Sequence, residues 1–265
     1  MDLLISSQEL YKSIKKLDST IVIDTRPFLE YKNGHVPGAV NIDLFQLHWF
    51  DTTKRGIRDF NRQTMLLLSN IGVRKEDNVV FYDDISGILA ARGVWLLLYF
   101  SHERVCMLDG GFEKWKREGY PIEVRSNQLR HVRFLEKPNA KILANVNEVR
   151  GSINNRNVVI VDARSREEYN GTEVRAARGG HIPSAVNIDW TRNIENSLFK
   201  SKRKLLKIYS KIPKNAQVIT YCQGGYRAAN AFLVFKMLGY KKVKMYLGSW
   251  GEWGNKLNLP VREGD

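Results

Sequence analysis

The apolar positions along the chain fall into short continuous runs, not into an alternating apolar and polar pattern. Such runs, rich in Val and Ile, predict six strands at Ile21–Ile23, Val79–Tyr82, Val105–Leu108, Val158–Val161, Val218–Tyr221 and Val243–Tyr246. Longer apolar patterns at Leu89–Tyr99 and Ala228–Leu238 predict helices between strands. Strands that are apolar on both faces and alternate with helices indicate parallel sheets covered on both sides. In such sheets, ligands bind beyond the carboxyl ends of the strands.

The same order of signals occurs twice along the chain. The matching blocks are 21–31 with 158–169, 34–43 with 180–189, 78–84 with 217–223 and 108–122 with 247–261. The second pair reads "GHVPGAVNID" and "GHIPSAVNID". Four matches in one order indicate an internal duplication. We therefore predict an α/β protein with a first domain at 1–125, a linker at 126–147 and a second domain at 148–265.

Composition excludes several classes of protein. The 265 residues are 43% hydrophobic, which suffices for the cores of two ordinary domains. No stretch approaches the roughly 20 apolar residues that span a bilayer. The N-terminus "MDLLISSQEL" lacks the basic region and long apolar run of a signal peptide. Two cysteines, Cys106 and Cys222, argue against a disulfide framework and favour a reducing, cytoplasmic setting.

The formal net charge of +14 is compatible with an anionic substrate, an acidic partner or a nucleic acid. The lysines are spread along the chain, and we find no basic helix–turn–helix, no zinc-ligand spacing and no signature of an RNA-binding sheet. We interpret them as solvated faces. We expect no specific nucleic-acid partner, no membrane partner and no bound metal.

The two copies differ where one strand ends. Asp83 in the first copy stands where the second has Cys222, and the first loop is one residue longer. A duplicated scaffold that carries the thiol only once predicts one active site. Because a lone buried carboxylate is costly, Asp83 also suggests that Cys222 faces solvent or a pocket. Cys106 lies inside a strand pattern and is interpreted as a packing residue.

The loop "CQGGYR" at 222–227 joins a predicted strand to a predicted helix. Two glycines give this loop conformational freedom, while the helix N-terminus and Arg227 stabilise negative charge on the sulfur. Cys222 is the predicted nucleophile. The predicted substrate-binding residues are Gln223, Gly224, Gly225, Tyr226, Arg227 and Trp250. Trp250 is included because the first copy offers only Phe112 near its place.

Other charged residues recur in both copies. Asp24 and Arg26 match Asp162 and Arg164, and a histidine opens the turn before proline in each copy. Since these residues also occur in the copy without the cysteine, we interpret them as structural.

The motifs "GHIPSAVN", "YCQGGYRAA" and "GSWGEW" resemble those of the tandem-domain rhodanese family of sulfurtransferases, over about residues 5–262. The first domain resembles the inactive domain of that family, with "YDD" at its loop. The resemblance implies two five-stranded, mainly parallel domains and no cofactor. It also implies that Cys222 takes sulfur from a small anionic donor as a persulfide and passes it to cyanide, a thiol or a protein. Because the duplication makes a pseudo-dimer, a monomer is expected.

The chain departs from the family's pattern at one position that bears on the identity of the sulfur donor. An arginine that binds the substrate carboxylate in mercaptopyruvate enzymes aligns with Glu168, which favours thiosulfate as the donor. The alternative is 3-mercaptopyruvate, with Arg175 or Arg178 binding its carboxylate.

Two further classes of protein stay open. One is a cysteine phosphatase or arsenate reductase, whose loop places one more residue between Cys and Arg than the four that separate Cys222 from Arg227. The other is a non-catalytic interaction module.

Overall fold

The computed structural model describes residues 2–16 and 19–264, except the side chain of Gln46. These residues form two compact units. The first unit comprises the chain up to Leu47 together with Asp59–Asn139 and Ile194–Phe199. The second comprises His48–Arg58, Ala140–Asn193 and the chain from Lys200 onward. Each unit thus contains one short segment from the other half of the sequence.

Short strands and helices alternate along the chain. The strands are β1 (Leu4–Ile5), β2 (Thr20–Asp24), β3 (Val40–Asn41), β4 (Asn78–Tyr82), β5 (Val105–Leu108), β6 (Leu143–Ala144), β7 (Val158–Asp162), β8 (Val186–Asn187), β9 (Ile194–Glu195), β10 (Leu198–Phe199), β11 (Gln217–Tyr221) and β12 (Val243–Tyr246). The helices are α1 (Ser7–Lys15), α2 (Phe28–Asn33), α3 (Lys54–Ile71), α4 (Ile88–Tyr99), α5 (Gly111–Arg117), α6 (Val146–Ser152), α7 (Arg166–Asn170), α8 (Lys202–Ile208), α9 (Tyr226–Met237) and α10 (Ser249–Trp253). Short 3-10 turns lie at Leu44–Gln46, Ala140–Ile142 and Trp190–Asn193.

Each unit contains a five-stranded sheet with the same connectivity. The order is β1-β5-β4-β2-β3 in the first sheet and β6-β12-β11-β7-β8 in the second. All neighbouring strands in both sheets are parallel. β9 and β10 form a separate antiparallel pair. The predicted fold of two mainly parallel, helix-flanked α/β domains is therefore confirmed.

Most central strands lie where the apolar runs predicted them. β5 and β12 have the predicted bounds, while β2, β4, β7 and β11 extend by one or two residues. The four edge strands β1, β3, β6 and β8 were not predicted, because two residues are too few for a periodic pattern. β6 lies inside the stretch interpreted as a linker.

The second sheet positions Cys222 through its central strand. β11 lies between β7 and β12, and its residues Val218–Tyr221 are buried. Ile219 and Tyr221 of β11 belong to an apolar cluster that also includes Ile160 of β7. The strand ends directly before Cys222, so this residue lies at the carboxyl edge of the sheet. Within the described residues, no helix has both the length and the apolar character needed to cross a membrane.

Candidate active site

Cys222 lies between the end of β11 and the start of α9. The residue is only 1% exposed, and its Sγ accepts the N–H of Gly225 at 3.1 Å. Gly225 has φ of 90°, in the left-handed region, and directly precedes the first residue of α9. Since the N–H groups of a first helical turn lack acceptors within the helix, the sulfur occupies a position that favours an anion.

The backbone around Cys222 is held by α10. The N–H of Trp250 donates to the carbonyl of Cys222, and the N–H of Gly251 donates to that of Gln223, both at 2.8 Å. The hydroxyl of Ser249 accepts the N–H of Cys222 at 3.3 Å and donates to the carbonyl of Tyr246 at 2.9 Å. Ser249 has φ of 51°, a conformation that non-glycine residues adopt rarely. These contacts fix the backbone of the loop at Cys222 and Gln223.

Arg227, in the first turn of α9, forms a buried ion pair with Glu168. Its Nη2 lies 2.8 Å from Oε1 of Glu168, and Nη1 contacts Oε2. Burial by itself would raise the pKa of Glu168, but the hydrogen bond and charge of Arg227 outweigh it and hold this pKa below its usual value. Burial would likewise lower the pKa of Arg227, yet the Glu168 carboxylate raises it overall. The negative charge of Glu168 is therefore paired with Arg227 and is not presented alone to a donor.

The two arginines considered for binding a carboxylate have different environments. Arg178 donates to several backbone carbonyls, most closely to those of Lys256 at 2.7 Å and Leu259 at 2.8 Å. Arg178 is thus committed to holding the C-terminal segment. The Arg175 side chain is 52% exposed, and its Nη1 lies 3.7 Å from Oε1 of Glu168. Of the two, Arg175 is available to a ligand.

Gln223 has a side-chain acceptor to spare. Its Nε2 donates to the carbonyl of Arg175 at 2.9 Å. Its Oε1 is buried and has no hydrogen-bond partner in the described part of the chain. A ligand that carries a proton could donate to this oxygen.

His48 and Phe50, which no sequence motif indicated, lie against the loop. A Cβ added at Gly224 would lie 2.7 Å from Cδ2 of His48, and one added at Gly251 would lie 2.2 Å from Cε1 of Phe50. The His48 and Tyr226 rings are 4.9 Å apart between centroids. Gly224 is therefore needed for space, whereas Gly225 is needed for its backbone conformation.

The segment that carries His48 and Phe50 is anchored by the buried carboxylate of Glu252. This carboxylate accepts the Thr52 N–H at 3.1 Å and the Thr52 hydroxyl at 2.5 Å. It also accepts the Tyr246 hydroxyl at 2.9 Å and pairs with Lys256 at 2.6 Å. Thr52 and Glu252 are 200 residues apart, so sequence spacing could not link them. The sequence signal that could have pointed to this segment is that the two copies diverge directly after the shared "VNID".

The corresponding loop of the first unit holds a carboxylate in place of the thiol. Asp83 is 6% exposed and accepts the N–H groups of Gly87 at 3.0 Å, Leu89 at 3.0 Å and Ala90 at 3.1 Å. Burial raises its pKa to about 6 despite these hydrogen bonds. The premise that a buried carboxylate is excluded here is therefore wrong, and Cys222 is itself buried. A loop of this type, followed by a helix N-terminus, can hold an anion.

Trp250 has a structural counterpart in the first unit. Its ring is 1% exposed and lies 4.5 Å from the guanidinium carbon of Arg164, while Phe112 lies 4.0 Å from that of Arg26. The N–H of Phe112 also donates to the Asp83 carbonyl, as that of Trp250 does to Cys222. The sequence-based reason for placing Trp250 in a pocket is thus wrong. A substrate contact by Trp250 stays a prediction.

Cys106 lies in β5, away from any such loop. Burial raises the pKa of its thiol to about 12, so it stays protonated at neutral pH. Of the two cysteines, Cys222 is the one that lies in a loop before a helix N-terminus.

The model of the rhodanese-like domain matches this chain twice, at residues 6–118 and 145–256. A thiosulfate sulfurtransferase from Azotobacter vinelandii is 32% identical over 246 residues, which cover 91% of this chain and 90% of that protein. One from Pseudomonas aeruginosa is 30% identical over 248 residues, covering 91% and 90%. The chain belongs to the rhodanese-like family, with two such domains in tandem. The prediction of an enzyme of this sulfurtransferase family is thereby confirmed.

Solved structures agree with this assignment. SseA from Escherichia coli, described as a 3-mercaptopyruvate sulfotransferase, is 27% identical with a TM-score of 0.79, covering 94% of this chain and 99% of SseA. EanB in complex with hercynine has a TM-score of 0.87 at 21% identity, covering 99% of this chain and 70% of EanB. At that identity, EanB supports the fold alone.

Proposed function

We propose that the protein transfers the outer sulfur of thiosulfate to a thiophilic acceptor through a persulfide on Cys222. The observation that carries the proposal is the Gly225 N–H on Sγ at 3.1 Å, at the N-terminus of α9. The matching loop of the first unit supports it, because three backbone N–H groups there donate to the side chain of Asp83. The names of the similar relatives support thiosulfate as the donor.

In the first step, the Cys222 thiolate attacks the outer sulfur of thiosulfate. A new S–S bond forms, the S–S bond of thiosulfate breaks, and sulfite leaves with the bonding electrons. The persulfide then carries its negative charge on the terminal sulfur. Backbone N–H groups at the start of α9 are placed to stabilise that charge, as oxyanion-type donors do. In the second step, cyanide, a thiol or a protein nucleophile attacks the terminal sulfur and releases the Cys222 thiolate.

Intact-mass measurement after treatment with thiosulfate tests this proposal. We expect the protein to gain one sulfur atom and to lose it when cyanide is added. Cys222→Ser should show no gain and no turnover, because the nucleophile is absent. Cys106→Ser is the matched control and should gain sulfur like the unmodified protein. Sulfur uptake by Cys222→Ser that disappears in Cys106→Ser would contradict the proposal.

A second donor, 3-mercaptopyruvate, is favoured by the likeness to SseA and by the half-exposed Arg175. Thiosulfate is preferred because the guanidinium of Arg227 is paired with Glu168. The guanidinium of Arg178 in turn donates to backbone carbonyls. A missing charge-assisted contact costs about 1.5–3 kcal/mol, which is roughly ten- to a hundredfold in specificity.

We therefore expect kcat/KM for thiosulfate to exceed that for 3-mercaptopyruvate by at least about tenfold. Steady-state kinetics with both donors measure this ratio. Arg175→Ala should change the ratio little if thiosulfate is the donor. A reversed ratio that Arg175→Ala abolishes would identify 3-mercaptopyruvate as the donor.

A further inference from the structure

The positive charge of the chain is concentrated in one stretch of the second unit. Residues 200–251 contain twelve lysines and arginines and no aspartate or glutamate. This stretch therefore carries 12 of the 14 net positive charges, and the rest of the chain is nearly balanced. The net positive charge is thus more concentrated than the spread of lysines along the chain suggests.

The fold brings several of these cations to one surface. We define the basic face as the exposed side chains of α8, the segment 209–216 and the turn before β12, namely Lys202, Arg203, Lys207, Lys211, Lys241 and Lys242. These parts are packed together. The Tyr240 hydroxyl donates to the carbonyl of Ile212 at 2.8 Å, and Lys214 Nζ donates to that of Leu238 at 2.7 Å.

Buried aromatic side chains pack together beneath the basic face and hold its segments in place. The Phe235 ring lies 4.7 Å from that of Tyr209 and 4.9 Å from that of Tyr240, between centroids. All three side chains are buried, and the two tyrosine hydroxyls are hydrogen-bonded within the unit. These rings are therefore unavailable for stacking on nucleic-acid bases.

The cations of the basic face lack carboxylate partners. Within the described residues, none of the six has a carboxylate oxygen within 4.0 Å. By contrast, the neighbouring Lys244 pairs with Glu148 at 2.6 Å. A cleft of about 450 Å³ beside Lys242 adds carboxamides, with Asn155, Asn157, Asn215 and Gln217 in its lining. Lysines and carboxamides are groups that contact phosphate oxygens.

The basic face is separate from the active site. Lys242 directly precedes β12 and Asn215 lies just before β11, whereas Cys222 follows the other end of β11. A five-residue strand spans roughly 17 Å. The face therefore does not serve to attract the donor to the sulfur.

The chemistry of the surface favours a polyphosphate partner over a protein. The buried core of a protein–protein interface is more apolar than the rest of the surface and is depleted of charged residues. Within 200–251, all of which the structure describes, Leu206 is the single exposed large apolar side chain. A nucleic-acid duplex carries one negative charge per about 1.7 Å, which suits cations with no carboxylates between them. We propose that the basic face binds the phosphodiester backbone of a nucleic-acid duplex without regard to sequence.

Fluorescence anisotropy with labelled 20-base-pair duplexes of unrelated RNA and DNA sequences tests this inference. We expect Kd values of about 1–100 µM near physiological salt, and a linear fall of log K with log salt concentration. A triple variant should reduce the slope of log K against log salt concentration by about one for each lysine; it carries Lys207→Glu, Lys211→Glu and Lys242→Glu. Its binding should be abolished at the upper end of the salt series. Sulfur uptake from thiosulfate should be unchanged.

The matched control is Lys32→Glu/Lys75→Glu/Arg125→Glu, which changes the net charge equally at exposed residues of the first unit. This variant should bind the duplexes nearly as tightly as the unmodified protein. An equal loss in both triple variants would show that net charge alone matters and would overturn the proposal. Failure to bind either duplex, together with binding of poly-glutamate through the basic face, would assign it to an acidic protein. The RNA and DNA arms show which backbone binds better.

Discussion

At the scale of single residues, the ion pair between Arg227 and Glu168 determines how charge is distributed beside Cys222. The Glu168 carboxylate has three partners. It pairs with Arg227, lies 3.7 Å from Nη1 of Arg175, and accepts the N–H of Ser165 in a capping box at the start of α7. Its side chain is 3% exposed and that of Arg227 15%. Breaking such a pair leaves a charge buried without a partner, which is strongly destabilising.

We expect Glu168→Gln to lower the free energy of unfolding by about 3 kcal/mol at pH 7. Glu168→Arg should lower it further, because it adds a guanidinium beside Arg227 and Arg175. The pKa of Glu168 is lowered in the folded protein, so its contribution is present above its ordinary pKa of 4.5 and is lost as pH falls through the folded value. Urea unfolding of both variants between pH 3 and pH 7 measures this.

The exposed neighbour Glu167 provides the control for this prediction. Glu167→Gln should unfold like the unmodified protein across the same pH range, since Glu167 is exposed beside the buried Glu168. If Glu168→Arg were instead as stable as the unmodified protein and used 3-mercaptopyruvate better, Glu168 would after all act directly on the donor.

At the scale of elements, α4 and α9 each follow a glycine after equivalent strands, and the N-terminus of each helix lies against one side chain. α4 meets the Asp83 carboxylate through three N–H groups, and α9 meets the sulfur of Cys222. Burial raises the pKa of Asp83 and outweighs the hydrogen bonds from N–H groups, which lower it. The net pKa of about 6 lies above the ordinary 3.8.

A raised pKa means that the folded protein binds this proton more tightly than the unfolded chain does. Stability should therefore fall as pH rises from about 4 to about 6 and then stay level, with a total loss of about 3 kcal/mol. Asp83→Asn removes the titrating carboxyl group, so the midpoint of its urea unfolding should not show this fall between about pH 4 and pH 6. The exposed Glu76→Gln serves as the control and should keep it. Parallel pH profiles for Asp83→Asn and the unmodified protein would rule out Asp83 as the source.

The elements also show how far the sequence could be read. Apolar runs located the central strands, because buried parallel strands are continuous in sequence. The loop residues Cys222 and Gly225 could be selected, since a strand, glycines and a helix start follow one another. The pairing of Arg227 with Glu168, 59 residues apart, could not be found. Nor could the buried setting of Asp83, because burial depends on packing that no local pattern encodes.

At the scale of the whole molecule, duplication explains the shared fold, while the cysteine at the end of the strand occurs in the second copy alone. The two sheets have equivalent strand orders, and each unit has a buried Asp–Arg pair, Asp24 with Arg26 and Asp162 with Arg164, both at 2.6 Å. The sequence interpretation of these residues as structural agrees with that burial. What sequence could not reveal is that 48–58 belongs to the second unit and 194–199 to the first. Such assignments depend on contacts between residues far apart in the chain.

The two loops differ in more than the residue at the end of the strand. Gly225 precedes α9 and lies three residues after Cys222, whereas Gly87 precedes α4 and lies four residues after Asp83. Gly225 is in the left-handed region, while Gly87 is extended with φ of −97°. The second residue of α9 is Arg227, but that of α4 is Leu89. A thiol placed at position 83 would therefore lie in a longer loop with a different glycine conformation, and α4 would bring no arginine beside it.

We accordingly expect that Asp83→Cys does not create a second sulfur-accepting site. The test is intact mass of the double variant Asp83→Cys/Cys222→Ser after thiosulfate, with Cys222→Ser alone as the control and circular dichroism to verify folding. Neither variant should gain sulfur. The reason is that the first loop is one residue longer and that α4 has Leu89 where α9 has Arg227, so a persulfide at position 83 would lack the nearby positive charge. Uptake at position 83 in a folded double variant would mean that the shorter loop and Arg227 are dispensable, and that the residue at the strand end alone separates the active copy from the inactive one.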